Sequence, residues 1–104
     1  MNKVAFKMHL HKGKAQEYRK RHDEIPAELK TLLASVGISD YYIFLDESRG
    51  DLFAIMNIED EQKLESLSGH PVMKKWWTMM KDIMDTNEDD SPVTVPLINV
   101  FYMK

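Results

Sequence analysis

The chain has 104 residues, of which 43% are hydrophobic and 30% charged, and this size and composition predict one globular domain, residues 1–104. It contains no cysteine, which excludes disulfides, thiolate metal ligands and cysteine nucleophiles and suits a reducing, cytoplasmic compartment. The net charge of -3 comes from mixed charges without a basic block, so we expect no nucleic-acid partner. No apolar run is long enough for a signal peptide or a membrane-spanning segment, so we expect neither.

The first predicted elements are a strand and a long, interrupted helix. Apolar side chains alternate with other residues from Val4 to Leu10, the period-two pattern of a strand with one buried face. Apolar positions at spacings of three, four and seven then predict a helix from Lys14 to about Val36. Pro26 has no N–H for the carbonyl of His22 and disfavours helical geometry at Ile25. We therefore expect a break near Ile25.

The remaining predicted elements are a hairpin, two helices and a last strand. Residues 41–46 and 52–58 are rich in aromatic and branched side chains and flank turn-forming residues, which predicts a β-hairpin. Residues 59–67 are helix-compatible, and a second strong helix follows from Val72 to about Met84. A last strand is predicted from Leu97 to Met103. The order β-α-β-β-α-β predicts an α+β, ferredoxin-like sandwich, an antiparallel four-stranded sheet with its helices on one face.

This architecture leaves one face of the sheet without a cover. The strands 52–58 and 97–103 are apolar on both faces, yet two helices can cover only one. A second copy of the chain is the most economical cover. We therefore expect a homodimer in which the sheets pack face to face.

Tyr18 and His22 form the most suggestive pair of side chains. Residues four apart on a helix are separated by only about 40° around its axis, so the two share one face beside the predicted break. His22 is the candidate proton donor because an imidazole titrates near neutral pH. The competing interpretation is an exposed histidine on a charged helix face.

The second long helix contributes a candidate wall for a ligand. Trp76 and Trp77 belong to an apolar stripe whose first role is to pack against a core. Adjacent residues diverge by about 100°, so the two indoles cannot fill one place, and one of them is free to line a cavity. Aromatic rings and methionines beside tyrosine hydroxyls suit a ligand with apolar faces and hydroxyl edges, which describes a sugar.

Other familiar site patterns carry less weight. His9 and His11 have the spacing of a metal-binding pair on a strand, but no third ligand can be placed near them, and two surface histidines are the simpler interpretation. The sequence has neither a phosphate-binding glycine loop nor a nucleophile elbow. We predict no metal site and no cofactor.

Several segments spread along the chain resemble one known family. They are Glu17-Tyr18 with Arg21-His22, Ile25 with Glu28-Leu29, Gly37 followed by Tyr41-x-Ile43-x-Leu45-Asp46, Trp76-Trp77 with Asp82 and Met84, and Ser91-Pro92-Val93 leading to Val100-Phe101-Tyr102. Taken together, over essentially the full length, they resemble the L-rhamnose mutarotases.

The resemblance implies a dimeric α+β barrel of ferredoxin-like subunits. It implies an isomerase that interconverts the α and β anomers of L-rhamnose without a cofactor. It also implies roles for particular residues: His22 is the catalytic proton donor, and the substrate contacts are Tyr18, Tyr41, Trp76 and Trp77.

The implied reaction needs two proton transfers. Anomers exchange through the open-chain aldehyde, so the ring oxygen must gain a proton while the anomeric hydroxyl loses one. The sequence leaves the base open among Tyr18, a carboxylate such as Asp82, and a bound water. Two alternatives share the architecture: a small cofactor-free or haem-linked dimeric α+β barrel monooxygenase, and a non-catalytic ligand-binding module.

Overall fold

The computed structural model describes residues 2–104, which form one sheet and its covering helices. The element bounds are β1 Asn2–His9, α1 Ala15–Asp23, α2 Ala27–Ser35, β2 Ser39–Asp46, β3 Asp51–Ile58, α3 Glu61–Glu65, a 3₁₀ helix Ser66–Gly69, α4 Pro71–Met80 and β4 Val95–Leu97. Within residues 2–104, no helix has the length and apolar character needed to cross a bilayer.

The four strands form an antiparallel sheet in the order β2-β3-β1-β4. Read from the other edge this is β4-β1-β3-β2, the arrangement of a ferredoxin-like sandwich. The hairpin pairs Asp46 with Asp51, and Ala54 in the middle of β3 pairs with both Phe6 and Ile43. The predicted fold class is confirmed.

One face of the sheet holds the core. The side chains of β3 that point to this face are almost fully buried: Leu52, Ala54, Met56 and Ile58. Tyr18 from α1 and Met80 from α4 join the first half of this strand in one apolar cluster. Val36, just after α2, joins its second half in another. The helices therefore cover the face of the sheet on which the alternate, apolar residues of β3 are buried.

The break in the first helical region lies where proline chemistry predicts it. Helix α1 ends at Asp23 and α2 begins at Ala27. The carbonyl of His22, which cannot bond to Pro26, accepts instead from the N–H of Ile25 at 3.2 Å. The break fixes His22 in the last turn of a short helix.

Helix α4 ends at Met80, not near Met84 as the apolar stripe predicted. The reason is competition from the backbone of the first strand. Leu10 and Met84 form an antiparallel bridge, and the N–H of His11 donates to the carbonyl of Ile83 at 2.8 Å. Carbonyls and N–H groups engaged in this pairing are unavailable for helical bonds.

The prediction of a last strand from Leu97 to Met103 was wrong. Strand β4 comprises Val95–Leu97, paired with β1, and residues 98–103 have no strand partner within the described chain. We call residues 98–104 the C-terminal segment. Its large apolar side chains are 69–91% exposed: Ile98, Val100, Phe101, Tyr102 and Met103. Their composition favours a strand, but a strand also needs a neighbouring backbone, and none lies beside them here.

The face of the sheet opposite the helices is uncovered and mostly apolar, as the sequence predicted, although Lys7 also lies on it, opposite Phe53 and Val95. Strand register places the following side chains together, and we call them the open sheet face: Ala5, Tyr42, Phe44, Phe53, Ile55 and Leu97. Tyr42 and Phe44 are 58% and 59% exposed, and their rings stack with centroids 6.1 Å apart. This surface and the C-terminal segment leave aromatic area in contact with water.

Candidate active site

Helix α1 presents Tyr18 and His22 on one side, as their spacing predicts. Their ring centroids are 4.3 Å apart, and Tyr18 is only 9% exposed. His22 also meets Trp76 of α4 edge to face, with centroids 5.2 Å apart and planes at 89°. The imidazole is therefore half-buried between a phenol and an indole, and the exposed-histidine interpretation does not hold.

The hydrogen bond of His22 fixes its tautomer. Its Nδ1 lies 2.9 Å from the backbone carbonyl oxygen of Tyr18. A carbonyl can only accept, so Nδ1 carries a hydrogen whether the ring is neutral or charged. Nε2 is thus the nitrogen that gains and loses a proton.

The surroundings of His22 favour its neutral form. Burial lowers the pKa of His22 below its usual 6.5, and this outweighs the opposing effects of the Tyr18 carbonyl and the nearby Asp23 carboxylate. Near neutral pH the ring is therefore mostly uncharged and Nε2 holds a lone pair.

The two tyrosine hydroxyls remain protonated over the same range. Burial raises the pKa of Tyr18 well above its usual value of 10.0, with a smaller contribution from Tyr41. Burial likewise raises the pKa of Tyr41 to about 12. Tyr41 lies at an irregularity of β2 between Ser39 and Tyr42, is 39% exposed as a whole residue, and lines the same cleft as Tyr18. Both hydroxyls are hydrogen-bond donors, and Tyr18 is excluded as a base near neutral pH.

Both tryptophans of α4 line the same cleft. Trp76 and Trp77 are half-buried, and Trp76 also packs against the core cluster. From helix geometry, one of the two indoles was expected to be free to line a cavity. Their helix is anchored at its start, where Nδ1 of His70 accepts from the N–H of Val72 at 3.2 Å next to Pro71. This cap anchors the start of the helix that carries both indoles.

These side chains surround an open cleft between the helices and the sheet. All five residues singled out from the sequence or the resemblance line it: Tyr18, His22, Tyr41, Trp76 and Trp77. Its other walls include apolar side chains: Phe6, Ile43, Leu45 and Met73. The cleft combines apolar surface, hydroxyl donors and the imidazole of His22, and charged side chains also line it, among them Arg19, Asp23 and Asp90. Such a lining suits a small polyol with an apolar side.

Asp82 does not belong to this cleft. Its carboxylate accepts from both terminal nitrogens of Arg21, at 2.7 and 3.2 Å, and its side chain is 64% exposed. It borders a separate surface hollow with Arg21. Asp82 is thus removed from the candidate bases. Sequence reasoning missed the pair, because the partners are 61 residues apart and no local pattern joins them.

His9 and His11 pair with separate carboxylates. The Nδ1 of His9 lies 3.7 Å from Asp51, and Nε2 of His11 lies 3.0 Å from Asp85. In the described part of the chain, no three His, Asp or Glu residues are grouped so that they could hold a metal ion. Both histidines are half exposed, in agreement with the surface interpretation.

Comparison with known proteins identifies the family. Residues 3–103 match the family described as L-rhamnose mutarotase. The chain belongs to the L-rhamnose mutarotase family. An L-rhamnose mutarotase from Rhizobium meliloti (strain 1021) is 52% identical over 104 residues, and the alignment covers 100% of both chains. One from Formosa agariphila is 46% identical, again over 100% of both.

A solved structure agrees with this assignment. The crystal structure of L-rhamnose mutarotase FA22100 from Formosa agariphila superposes with a TM-score of 0.93 at 45% identity, covering 100% of both chains. The structure of Rv0793 from Mycobacterium tuberculosis, at 13% identity, has a TM-score of 0.61 and shares the fold alone. The likeness to L-rhamnose mutarotases predicted from the sequence is confirmed. The monooxygenase and ligand-binding alternatives receive no support.

Proposed function

We propose that this protein is a cofactor-independent isomerase that interconverts the α and β anomers of L-rhamnose, with His22 as the proton-transfer group. The observation that carries the proposal is the placement of His22 between Tyr18 and Trp76 in the cleft of an L-rhamnose mutarotase family member. We place the reaction in the cytoplasm, since a cysteine-free chain suits a reducing compartment.

In this proposal one nitrogen carries out both proton transfers. Nε2 of neutral His22 accepts the proton of the anomeric hydroxyl, O1, and the electrons left on O1 form the aldehyde while the C1–O5 bond breaks. The proton then passes from Nε2 to O5, so His22 is the proton donor to the ring oxygen and ends in its starting state. Rotation about C1–C2 and reversal of the same steps close the other anomer.

A single imidazole suffices because O1 and O5 are attached to the same carbon. The tautomer supports this role, since the Tyr18 carbonyl holds the Nδ1 hydrogen and leaves Nε2 free. No second residue is then needed as the base.

The other four positions hold the sugar. The hydroxyls of Tyr18 and Tyr41 stay protonated because burial raises their pKa, so they donate to sugar oxygens without exchanging protons. The indoles of Trp76 and Trp77 offer apolar faces to the methyl group and the C–H face of the deoxy sugar. Positioning of this kind lowers the barrier by holding the reacting oxygens beside Nε2.

Exchange NMR tests the activity directly. Magnetisation transfer between the two anomeric protons of L-rhamnose is expected to accelerate in proportion to the concentration of wild-type protein, at fixed buffer and pH. The same buffer with heat-denatured protein is the control. An exchange rate that does not change with native protein would end the assignment of this activity.

We also propose that the protein is a homodimer, in which the open sheet faces pack together to complete an α+β barrel. Four exposed aromatic residues support this: Tyr42, Phe44, Phe101 and Tyr102. At 58–78% exposure they offer about 400–650 Å², more than half of the roughly 800 Å² that one partner contributes to a stable interface. The C-terminal segment has no cover in its own chain, so we propose that it packs against the second copy.

Charge placed on the open sheet face is expected to dissociate the dimer. Phe44→Lys buries a cation in the proposed interface, whereas Met79→Lys changes a similarly exposed apolar residue of α4 outside it. At micromolar concentration, sedimentation equilibrium is expected to give dimers for the wild type and Met79→Lys and monomers for Phe44→Lys. A monomeric wild type, or a Phe44→Lys variant as dimeric as the wild type, would contradict the proposal.

A further inference from the structure

Helix α1 places the catalytic side chain with few constraints of its own. It has nine residues, its first residue is preceded by Lys14 without a side-chain cap, and Tyr18 is the one residue of this helix that is buried. The backbone break before Ala27 also separates it from α2. A helix this short depends on contacts outside itself to hold its position.

Arg21 supplies such a contact. Its Nη1 donates to Oδ1 of Asp82 at 2.7 Å and its Nη2 donates to Oδ2 at 3.2 Å, the parallel geometry of a bidentate ion pair. Nη1 also donates to the backbone carbonyl of Met79 at 2.7 Å. Its side chain is only 20% exposed.

The Met79 carbonyl is a group that needs a partner. Helix α4 ends at Met80, so the carbonyl of Met79 is among the last four of the helix and has no N–H ahead of it in the helical ladder. A cation at this end also complements the helix dipole. Arg21 thus joins the last turn of α1 to the last turn of α4.

The last turns of α1 and α4 lie next to His22 and Trp76, the two residues that meet in the cleft. His22 follows Arg21 directly, and Trp76 precedes Met79 by three residues, close to one helical turn. Arg21 itself lies outside the cleft, in the separate hollow that it shares with Asp82. We propose that Arg21 and Asp82 are positioning residues that hold His22 against Trp76 and so set where Nε2 meets the sugar.

This inference rests on the proposed function for its kinetic consequence, but its structural part can be measured without substrate. The readout is the pKa of His22, followed by NMR of its ring protons. If the link between α1 and α4 is lost, His22 gains water and its pKa rises toward 6.5. Asp23 on the same helix and the Tyr18 carbonyl are unchanged by this and continue to raise it.

Two substitutions that remove opposite charges distinguish a displacement of His22 from a direct effect of the lost charge on its pKa. Arg21→Gln removes a cation and Asp82→Ala removes an anion, so direct charge effects would raise the pKa of His22 in the first and lower it in the second. Loss of the link raises it in both. Glu17→Gln is the matched control, because Glu17 lies 3.9 Å from Arg21 within the same helix and does not reach α4.

We expect both Arg21→Gln and Asp82→Ala to raise the pKa of His22, and Glu17→Gln not to raise it. We also expect kcat for L-rhamnose to fall about 10- to 100-fold in the first two, with KM changed less than about twofold, since a small misplacement affects the transfer more than binding. A pKa of His22 that falls or stays constant in Asp82→Ala would overturn the proposal. So would a folded Asp82→Ala variant with the kcat of the wild type. If the wild type itself shows no exchange, the proposed function fails and the titration still tests the link.

Discussion

Replacement of His22 by alanine is expected to reduce catalysed exchange between the anomers of L-rhamnose by about 10²- to 10⁴-fold, the range for a positioned acid or base. The variant loses Nε2, and the hydroxyls that remain, Tyr18 and Tyr41, have raised pKa values that prevent them from taking a proton near neutral pH. Exchange NMR on the two anomeric protons gives the rate after subtraction of the uncatalysed reaction.

The matched control for this substitution is His11→Ala. It removes a half-exposed imidazole that pairs with Asp85, away from the cleft, and is expected to retain activity within about twofold. Thermal unfolding of both variants separates loss of the catalytic nitrogen from loss of structure. Catalysed exchange in folded His22→Ala within twofold of the wild type would remove His22 from the reaction.

We also expect kcat/KM for the exchange of anomers to decrease at low pH. The neutral form of His22 starts the proposed reaction, so kcat/KM falls about tenfold for each pH unit below the pKa of His22 in the free enzyme. Burial lowers the pKa of His22 below 6.5. The decrease in kcat/KM therefore begins at a pH below 6.5, and kcat/KM is constant at higher pH. The tyrosines do not shorten this plateau near neutral pH, since the pKa of Tyr41 is raised to about 12.

The stability of the fold is also expected to decrease as the pH falls, so it must be measured at the same pH values as kcat/KM. The pKa of a histidine such as His22 is lower in the folded state than in the unfolded state. It stabilises the fold at pH values above its unfolded-state pKa, and this contribution is lost as pH falls through its folded-state pKa. Circular dichroism at each pH identifies the range in which the protein stays folded. Within that range, a kcat/KM that falls as pH rises through neutrality would mean that His22 must be protonated at the start.

Local chemistry explains why some features could be predicted from the sequence. Pro26 cannot donate to the His22 carbonyl in any fold, so the break between α1 and α2 follows from one residue. The shared face of Tyr18 and His22 follows from helix geometry alone. The hairpin and the sheet order follow from alternation and from the succession of elements.

Features that depend on distant backbone or side chains could not be predicted in this way. The end of α4 depends on a bridge from Leu10 to Met84, and the position of Asp82 depends on Arg21 from another helix. The C-terminal segment has the composition of a strand, yet pairing is a property of two backbones. Tyr41 was assigned to the site by resemblance, since its sequence context indicates only a strand.

The tautomer of His22 and its contact with the sugar are measured together by ¹⁵N NMR of the histidine rings at pH 7.5, with and without L-rhamnose. We expect Nδ1 of His22 to be protonated and Nε2 to hold a lone pair, and we expect the Nε2 resonance to shift when the sugar is added. His9, His11 and His70 serve as internal references that do not shift. If His22 is protonated on Nε2 alone, or if its Nε2 resonance does not change at saturating L-rhamnose, then Nε2 is not the nitrogen that exchanges protons with the sugar.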